Sequence, residues 1–453
     1  MESNYSEKIQ KIFKNENIDV GSMIQIISNG QAFEGLLMPR VSGDKNSIIL
    51  KLKNGYNIGI EFNSSAKIKR LEEKSVDLGK FEKKKLEHDP KKPTILILHT
   101  GGTVASKVDY RTGGVVASFE PKELISLFPE LQNIANIRSK LIRKMFSEDM
   151  RFEHFQILAR EVAEECHNVD GIIIAHGTDT LHYSSAALAF MIENLPIPVM
   201  MIGSQRSSDR ASADAGMNII CAAKFITETD FAGVAICMHG SSNDTYCNIF
   251  NPCKTRKMHT SRRDAFQSIN DMPYARVWYK EDKIEFLKKD YLRKDKNRTI
   301  ILKDGFENKV GLLKVYPGFD LGILKYFEKS KYKGLVLEGT GLGHAPINEI
   351  DEFTKINKDT LNTIKKLTKN GCVVVMASQT IYGRVGMNVY STGRDLQEAG
   401  VIPGEDMHPE TAYAKLKWLL GNFSKEETKK MIAKNLRGEI NERSEPRTFP
   451  PSI

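Results

Sequence analysis

Two apolar runs, Thr94-Ile-Leu-Ile-Leu98 and Gly171-Ile-Ile-Ile-Ala175, constrain the fold more than any other feature of the chain. Neither alternates with polar residues, so a strand built from either must be covered on both faces, as in a parallel sheet layered by helices. Each run ends in a threonine held by glycine. The first continues into His99-Thr-Gly-Gly-Thr-Val104 and the second into His176-Gly-Thr-Asp-Thr180. Ligands of open parallel sheets sit outside the carboxyl ends of the strands, so both threonine loops belong at such an end.

The surrounding sequence keeps the same grain. Further apolar strands at 198–202 and 233–237 alternate with helical stretches at 184–192 and 213–223. Residues 273 to 310 read as charged and irregular, and a shorter α/β run follows, with strands at 310–315, 334–337 and 372–376 and a helix at 357–368. Ahead of all this, residues 17 to 70 read as short strands. Asn54-Gly55 marks a hairpin there, because a type I′ turn needs positive φ at both central positions. The fold class expected is therefore α/β: a two-domain parallel-sheet module preceded by a small all-β barrel. Its expected divisions are a barrel over 1–75, a charged linker over 76–92, an α/β domain with the threonines over 93–305, and a second α/β domain with a tail over 306–453.

Composition narrows the function classes. No apolar stretch reaches the ~20 residues that span a bilayer, and the N-terminus carries no signal-type apolar region, so a cytoplasmic protein with no membrane partner is expected. Six cysteines without a CxxC pair favour reduced core thiols over a disulfide frame or a zinc site, and no metal is expected. The net charge of +9 comes from 66 basic residues spread against 57 acidic ones. Only Lys83 to Lys85 and the 293–298 stretch cluster, and both read as solvated loops.

The threonine loops carry the chemistry. Glycines 101, 102 and 177 remove side chains that would block a ligand and leave backbone N–H groups to face developing negative charge. Thr103 and Thr178 then offer hydroxyls, which become nucleophilic only when a base takes the proton. Asp179 and Lys257 are titratable candidates. Each part alone has a plainer reading: a tight turn for Gly-Gly-Thr, an N-cap for Asp179-Thr180, and a surface lysine for Lys257.

As a set, Thr100-Gly-Gly-Thr-Val104 and His176-Gly-Thr-Asp-Thr180 resemble the two signature motifs of the bacterial-type L-asparaginases. Phe146-Ser-Glu-Asp-Met150 resembles that family's substrate-binding serine loop, Met201-Ile-Gly-Ser-Gln205 its next strand end, and the 257–266 segment the region of its active-site lysine. The resemblance covers about residues 93 to 440. It implies Thr103 as nucleophile, Tyr110 as its activator on a lid, and Thr178, Asp179 and Lys257 as a second catalytic group. It also implies that Ser147 and Asp179 hold the substrate's α-carboxylate and α-amino groups, beside Gly102. Glu148 stands where many simple asparaginases carry glutamine, and the 339–344 loop with His344 is the candidate for completing a neighbouring subunit's site. The implied reaction is acyl transfer from a side-chain amide with release of ammonia.

The first ninety residues are superfluous to such an enzyme. Their 43–60 stretch resembles the N-terminal domain of the D-subunit family of archaeal-type glutamyl-tRNA(Gln) amidotransferases. In that family an asparaginase-like module releases ammonia, and a separate E subunit uses ATP and Mg2+ to activate the glutamyl-tRNA. The resemblance implies an E-subunit partner, Glu-tRNA(Gln) met through the complex, a homodimer within a heterotetramer, and no cofactor bound by this chain. The alternative is a stand-alone cytoplasmic L-asparaginase with an accessory domain. Only Phe33, Tyr56 and Phe62 are aromatic between 21 and 70, which favours a docking role for the barrel over base stacking.

Replacing Thr103 with Val keeps the volume and removes one hydroxyl. It is expected to abolish ammonia release while the circular-dichroism spectrum stays unchanged; retained activity would reject Thr103 as the nucleophile.

Overall fold

The structure is a computed structural model, and it describes residues 5–38, 44–52, 57–63, 65–71, 88–101, 106–108, 115–117, 128, 130–206 and 213–449. The Asn54-Gly55 turn, most of the 76–92 segment and Lys83 to Lys85 lie outside these residues.

The N-terminal unit is an antiparallel sheet of five strands in spatial order 4-3-2-1-5: Met23–Ser28, Gln31–Leu37, Ser47–Lys51, Asn57–Glu61 and Lys67–Arg70. Among the described residues its outer strands, the fourth and fifth, share no ladder. One element is absent from the sequence reading, a helix over Glu7–Asn15. Tyr5, Ile9 and Phe13 recur at helical spacing and are buried with Ile24, Ile26, Leu37, Ile48, Leu50 and Ile60. Tyr5 pins this cap polar end first: its hydroxyl donates to Met38 O at 2.7 Å and accepts from Ile49 N at 3.2 Å.

The central sheet has eight strands, in the order Lys283–Phe286, Ala275–Trp278, Tyr246–Phe250, Gly233–His239, Pro198–Ile202, Gly171–Ala175, Thr94–His99 and Asn136–Leu141. The last five pair in parallel. Both-face burial explains their composition. Leu96, Leu98, Ile172, Ile174, Val199 and Met201 enter one core, while Ile95, Ile97, Ile173, Ala175, Met200 and Ile202 enter the other.

The first three strands are antiparallel and extend the expected parallel sheet at one edge. The chain turns back within residues 240–245 and again within 279–282, and connections that short cannot make a parallel crossover. Two of these strands also lie inside the 273–310 stretch that reads as irregular. Ala275 and Val277 face the core, but Arg276 and Trp278 alternate with them and hide the pattern. The 293–298 cluster is likewise no free loop: Arg293 pairs with Asp230, Lys294 donates to Ile226 O, and Lys296 pairs with Asp170 at 2.8 Å.

The second α/β unit is a four-stranded parallel sheet, Val310–Lys314, Gly334–Gly339, Val373–Ser378 and Val401–Pro403 in sequential order. It is not packed separately. Leu181–Met191, a helix buried almost all round, lies against Pro409–Asn422, and Phe190 stacks on Trp418 at 5.5 Å within one core that includes Val336, Val373 and Val375. Ion pairs cross the same junction. Lys254 Nζ meets Asp406 Oδ2 at 2.6 Å with both side chains out of solvent, and Arg256 Nη2 meets Glu410 Oε1 at 2.8 Å.

All six cysteines are free and buried, and among the described residues no helix is long and apolar enough to cross a membrane.

Burial lowers the Lys254 ammonium pKa while the Asp406 carboxylate opposes that shift, so removing either partner strands the other charge. Lys254→Met is expected to destabilise the chain by roughly 3–5 kcal/mol, read as a thermal midpoint lower by at least ~6 °C. An unchanged midpoint would show that this pair does not help to hold the junction.

Candidate active site

The two threonine loops start side by side because their strands pair in register, Leu98 with Ile174 and His99 with Ala175. Thr100 closes the gap between them, donating to Ala175 O from both its N–H and its hydroxyl at 3.1 Å. The next residue has to be glycine. Gly101 has φ +98°, and a Cβ there would collide with Met145 O. That close approach delivers the following turn, the 3-10 segment Ser147–Asp149, to the second loop.

Gly177 then packs directly on Ser147. A Cβ on Gly177 would stand 2.7 Å from Ser147 Cβ and 2.9 Å from its Oγ. Thr180 adds a hydrogen bond from its hydroxyl to Ser147 O at 2.7 Å. The loop is braced from beneath by His176, whose Nδ1 donates to Gly177 O at 2.6 Å and whose Nε2 faces Ser184 Oγ at 2.8 Å. Burial draws the His176 pKa down to about 4 against that hydrogen bond, so the ring is a neutral brace near neutral pH. On the far side, Gly203 leaves room for the Thr178 methyl; a Cβ there would meet it at 2.6 Å.

Thr178, Asp179 and Lys257 converge. Lys257 Nζ donates to Thr178 Oγ1 at 2.8 Å and to Asp179 Oδ1 at 2.7 Å. Lys257 is 11% exposed and Asp179 63%, so the ammonium lies in the wall and the carboxylate opens to solvent. Such a trio can pass a proton between amine and hydroxyl while the carboxylate keeps an ammonium group of a ligand in reach. Ser147 is buried beside the same loop, and Glu148 sits exposed on its turn with no charged partner among the described residues.

Not every candidate joins this group. His344 packs edge-on against Tyr390 at 5.3 Å in the second α/β unit, and the groups that Lys257 meets do not include it. Gly102, Thr103 and Tyr110 lie outside the described residues. Among the described residues no cluster of three or more His, Cys, Asp or Glu is arranged to hold a metal ion.

Several supporting residues carry no motif-level signal. Asp214 is buried and gathers the 204–206 turn, accepting from Ser204 Oγ at 2.8 Å and from Gln205 N and Arg206 N at 3.0 Å. Glu410 is bound to Arg256, the residue before Lys257, and to His408 Nδ1 at 2.9 Å. Burial alone would raise the Glu410 carboxyl, but the hydrogen bond from His408 and the Arg256 charge outweigh it and hold the pKa at about 2.

Comparison with known proteins bears on the family and the fold. The family model for the N-terminal part of asparaginase matches residues 94–292, that for the glutaminase/asparaginase C-terminal domain residues 309–432, and that for the GatD N-terminal domain residues 18–71. The glutamyl-tRNA(Gln) amidotransferase D subunit of Pyrococcus furiosus is 45% identical over 98% of this chain and 99% of its own length. The corresponding D subunit of Archaeoglobus fulgidus is 45% identical over 93% and 95%. Among solved structures, the thermostable L-asparaginase of Thermococcus kodakarensis superposes with a TM-score of 0.66 at 31% identity, covering 77% of this chain and 99% of that one. L-asparaginase I of Vibrio cholerae gives 0.67 at 30% identity with the same coverage.

A methyl group at position 177 would press on Ser147. Gly177→Ala is therefore expected to raise KM for a side-chain amide by ~10-fold or more. Steady-state kinetics beside a thermal midpoint would check this; an unchanged KM would show that the Gly177–Ser147 contact does not govern substrate binding.

Proposed function

The chain belongs to the family of glutamyl-tRNA(Gln) amidotransferase D subunits, built on the asparaginase fold, and we propose that it releases ammonia from the side-chain amide of asparagine or glutamine. The observation that carries this reading is the Lys257 ammonium held on both Thr178 Oγ1 and Asp179 Oδ1 beside the buried Ser147 turn.

In this reading Thr103 attacks the amide carbon, with Tyr110 taking its proton and Gly102 offering backbone N–H to the carbonyl oxygen. The C–N bond breaks and the nitrogen leaves as ammonia after accepting a proton. Water then cleaves the ester, with Thr178 and Lys257 relaying a proton from the water to the departing Thr103 oxygen, which frees aspartate or glutamate and restores the Thr103 hydroxyl. Asp179 holds the substrate's α-amino group, Ser147 its α-carboxylate, and Glu148 adds negative charge near the amino end.

The ammonia is used in converting Glu-tRNA(Gln) to Gln-tRNA(Gln). That step falls to an E-subunit partner with ATP and Mg2+, and this chain binds no cofactor of its own. The working assembly is a homodimer of this chain within a cytoplasmic heterotetramer. Support for the amidotransferase role over a stand-alone L-asparaginase comes from the N-terminal unit, which lies outside the two matched asparaginase segments.

Ammonia release from asparagine and glutamine should be measured on the purified chain alone, then with the partner subunit, Glu-tRNA(Gln) and ATP. Release that is low alone and rises on addition of partner and charged tRNA is the expected result. Full release by the chain alone, unmoved by either addition, would point instead to an asparaginase carrying an accessory unit.

A further inference from the structure

Lys257 stands on weak footing of its own. Among the described residues its strand, Thr255–Lys257, pairs only with Phe266–Ser268, in a two-stranded ribbon separate from the eight-stranded sheet. A ribbon of three residues a side has no independent stability, so other contacts must fix where the lysine points.

Those contacts come from the second α/β unit. Along the segment leading to Lys257, the residues preceding it are fastened to residues 406–411. Cys253 O accepts from Thr411 Oγ1 at 2.9 Å, Lys254 Nζ binds Asp406 Oδ2 at 2.6 Å, and Arg256 Nη2 binds Glu410 Oε1 at 2.8 Å. Lys257 alone turns to Thr178 and Asp179. Glu410 is central to this clamp because both of its oxygens are used. Its second oxygen meets His408 Nδ1 at 2.9 Å, and His408 Nε2 in turn meets Thr411 Oγ1 at 2.9 Å, which closes a ring back to Cys253.

We infer that Glu410 is a positioning residue for Lys257: it grips Arg256 from the second α/β unit and so sets the distance of the neighbouring ammonium from Thr178 and Asp179. Glu410 touches neither substrate nor reacting atoms. Its effect passes through the backbone between Arg256 and Lys257, which makes the geometry of the threonine site depend on a unit that contributes no residue to the Lys257–Thr178–Asp179 group.

This inference rests on the reading that Lys257 takes part in amide hydrolysis, and the test separates the two. Glu410→Gln, Arg256→Met, their double variant and Lys257→Met are compared in the full chain assembled with its partner subunit. The readouts are kcat, KM, the pH–rate profile and the thermal midpoint.

Displacement of a catalytic group by about 1 Å costs up to ~100-fold, so Glu410→Gln is expected to lower kcat by ~10-fold or more, with KM within ~3-fold and a displaced pH–rate profile. Because both residues act through one contact, the double variant should be no slower than the worse single variant. If Glu410→Gln fails to fold, Arg256→Met carries the test, since Arg256 reaches the surface and its removal spares the core. Normal kcat in a folded Glu410→Gln or Arg256→Met enzyme, or additive losses in the double variant, would overturn the inference. Normal turnover by Lys257→Met would instead overturn the reading beneath it.

Discussion

The hydrogen-bond register between Thr94–His99 and Gly171–Ala175 is the constraint from which the candidate site follows. Two parallel strands in register end together, so their loops leave the sheet at one edge and must share one space. Glycine then decides how close they come. Gly101 lets the chain pass against Met145, and Gly177 lets it pass against Ser147, at separations that no other residue allows. The polar side chains are placed last, on backbone that was already fixed.

Charge burial does the complementary work of joining the two α/β units. Lys254–Asp406, at 2.6 Å and removed from solvent, and Arg256–Glu410, at 2.8 Å, cross that junction, and Asn441 N adds a hydrogen bond to Asp406 Oδ1. Such pairs add little net stability compared with apolar packing, because desolvation consumes most of the attraction. They are directional, however, and a misaligned junction would leave two charges stranded. An apolar interface alone, such as Phe190 on Trp418, tolerates sliding that these pairs do not.

How much of this was legible follows from which forces are local. Strands at 94–98, 171–175 and 198–202 were readable because burial on both faces demands apolar residues at every position. Ala275–Trp278 and the edge strand beside it, Lys283–Phe286, were not. Their solvent side is stabilised by cross-strand partners, Arg276 opposite Glu285 and Lys283 over the Trp278 ring at 5.2 Å, and such pairs look like loop composition. The N-terminal helix was readable in principle from Tyr5, Ile9 and Phe13. Thr178, Asp179 and Lys257 announced themselves through motifs, whereas Asp214, which gathers a nearby turn, and Glu410, which acts across the fold, carry no motif.

The distribution of basic charge extends the same reasoning. Counted along the sequence, 288–298 is the densest basic run in the central unit, yet Lys288, Arg293 and Lys296 are paired with Asp271, Asp230 and Asp170, and Arg298 donates to Leu195 O. These side chains fasten a long connection to the sheet, and their field is cancelled within a few ångströms. Lys325, Lys329, Lys331, Lys333, Lys365, Lys366 and Lys369 of the second α/β unit, by contrast, pair with no carboxylate among the described residues. Screening leaves a paired charge almost no reach beyond ~10 Å, whereas an unpaired surface lysine contributes to the potential out to that length. A run of lysines and arginines in a sequence therefore says little about field until its partners are known.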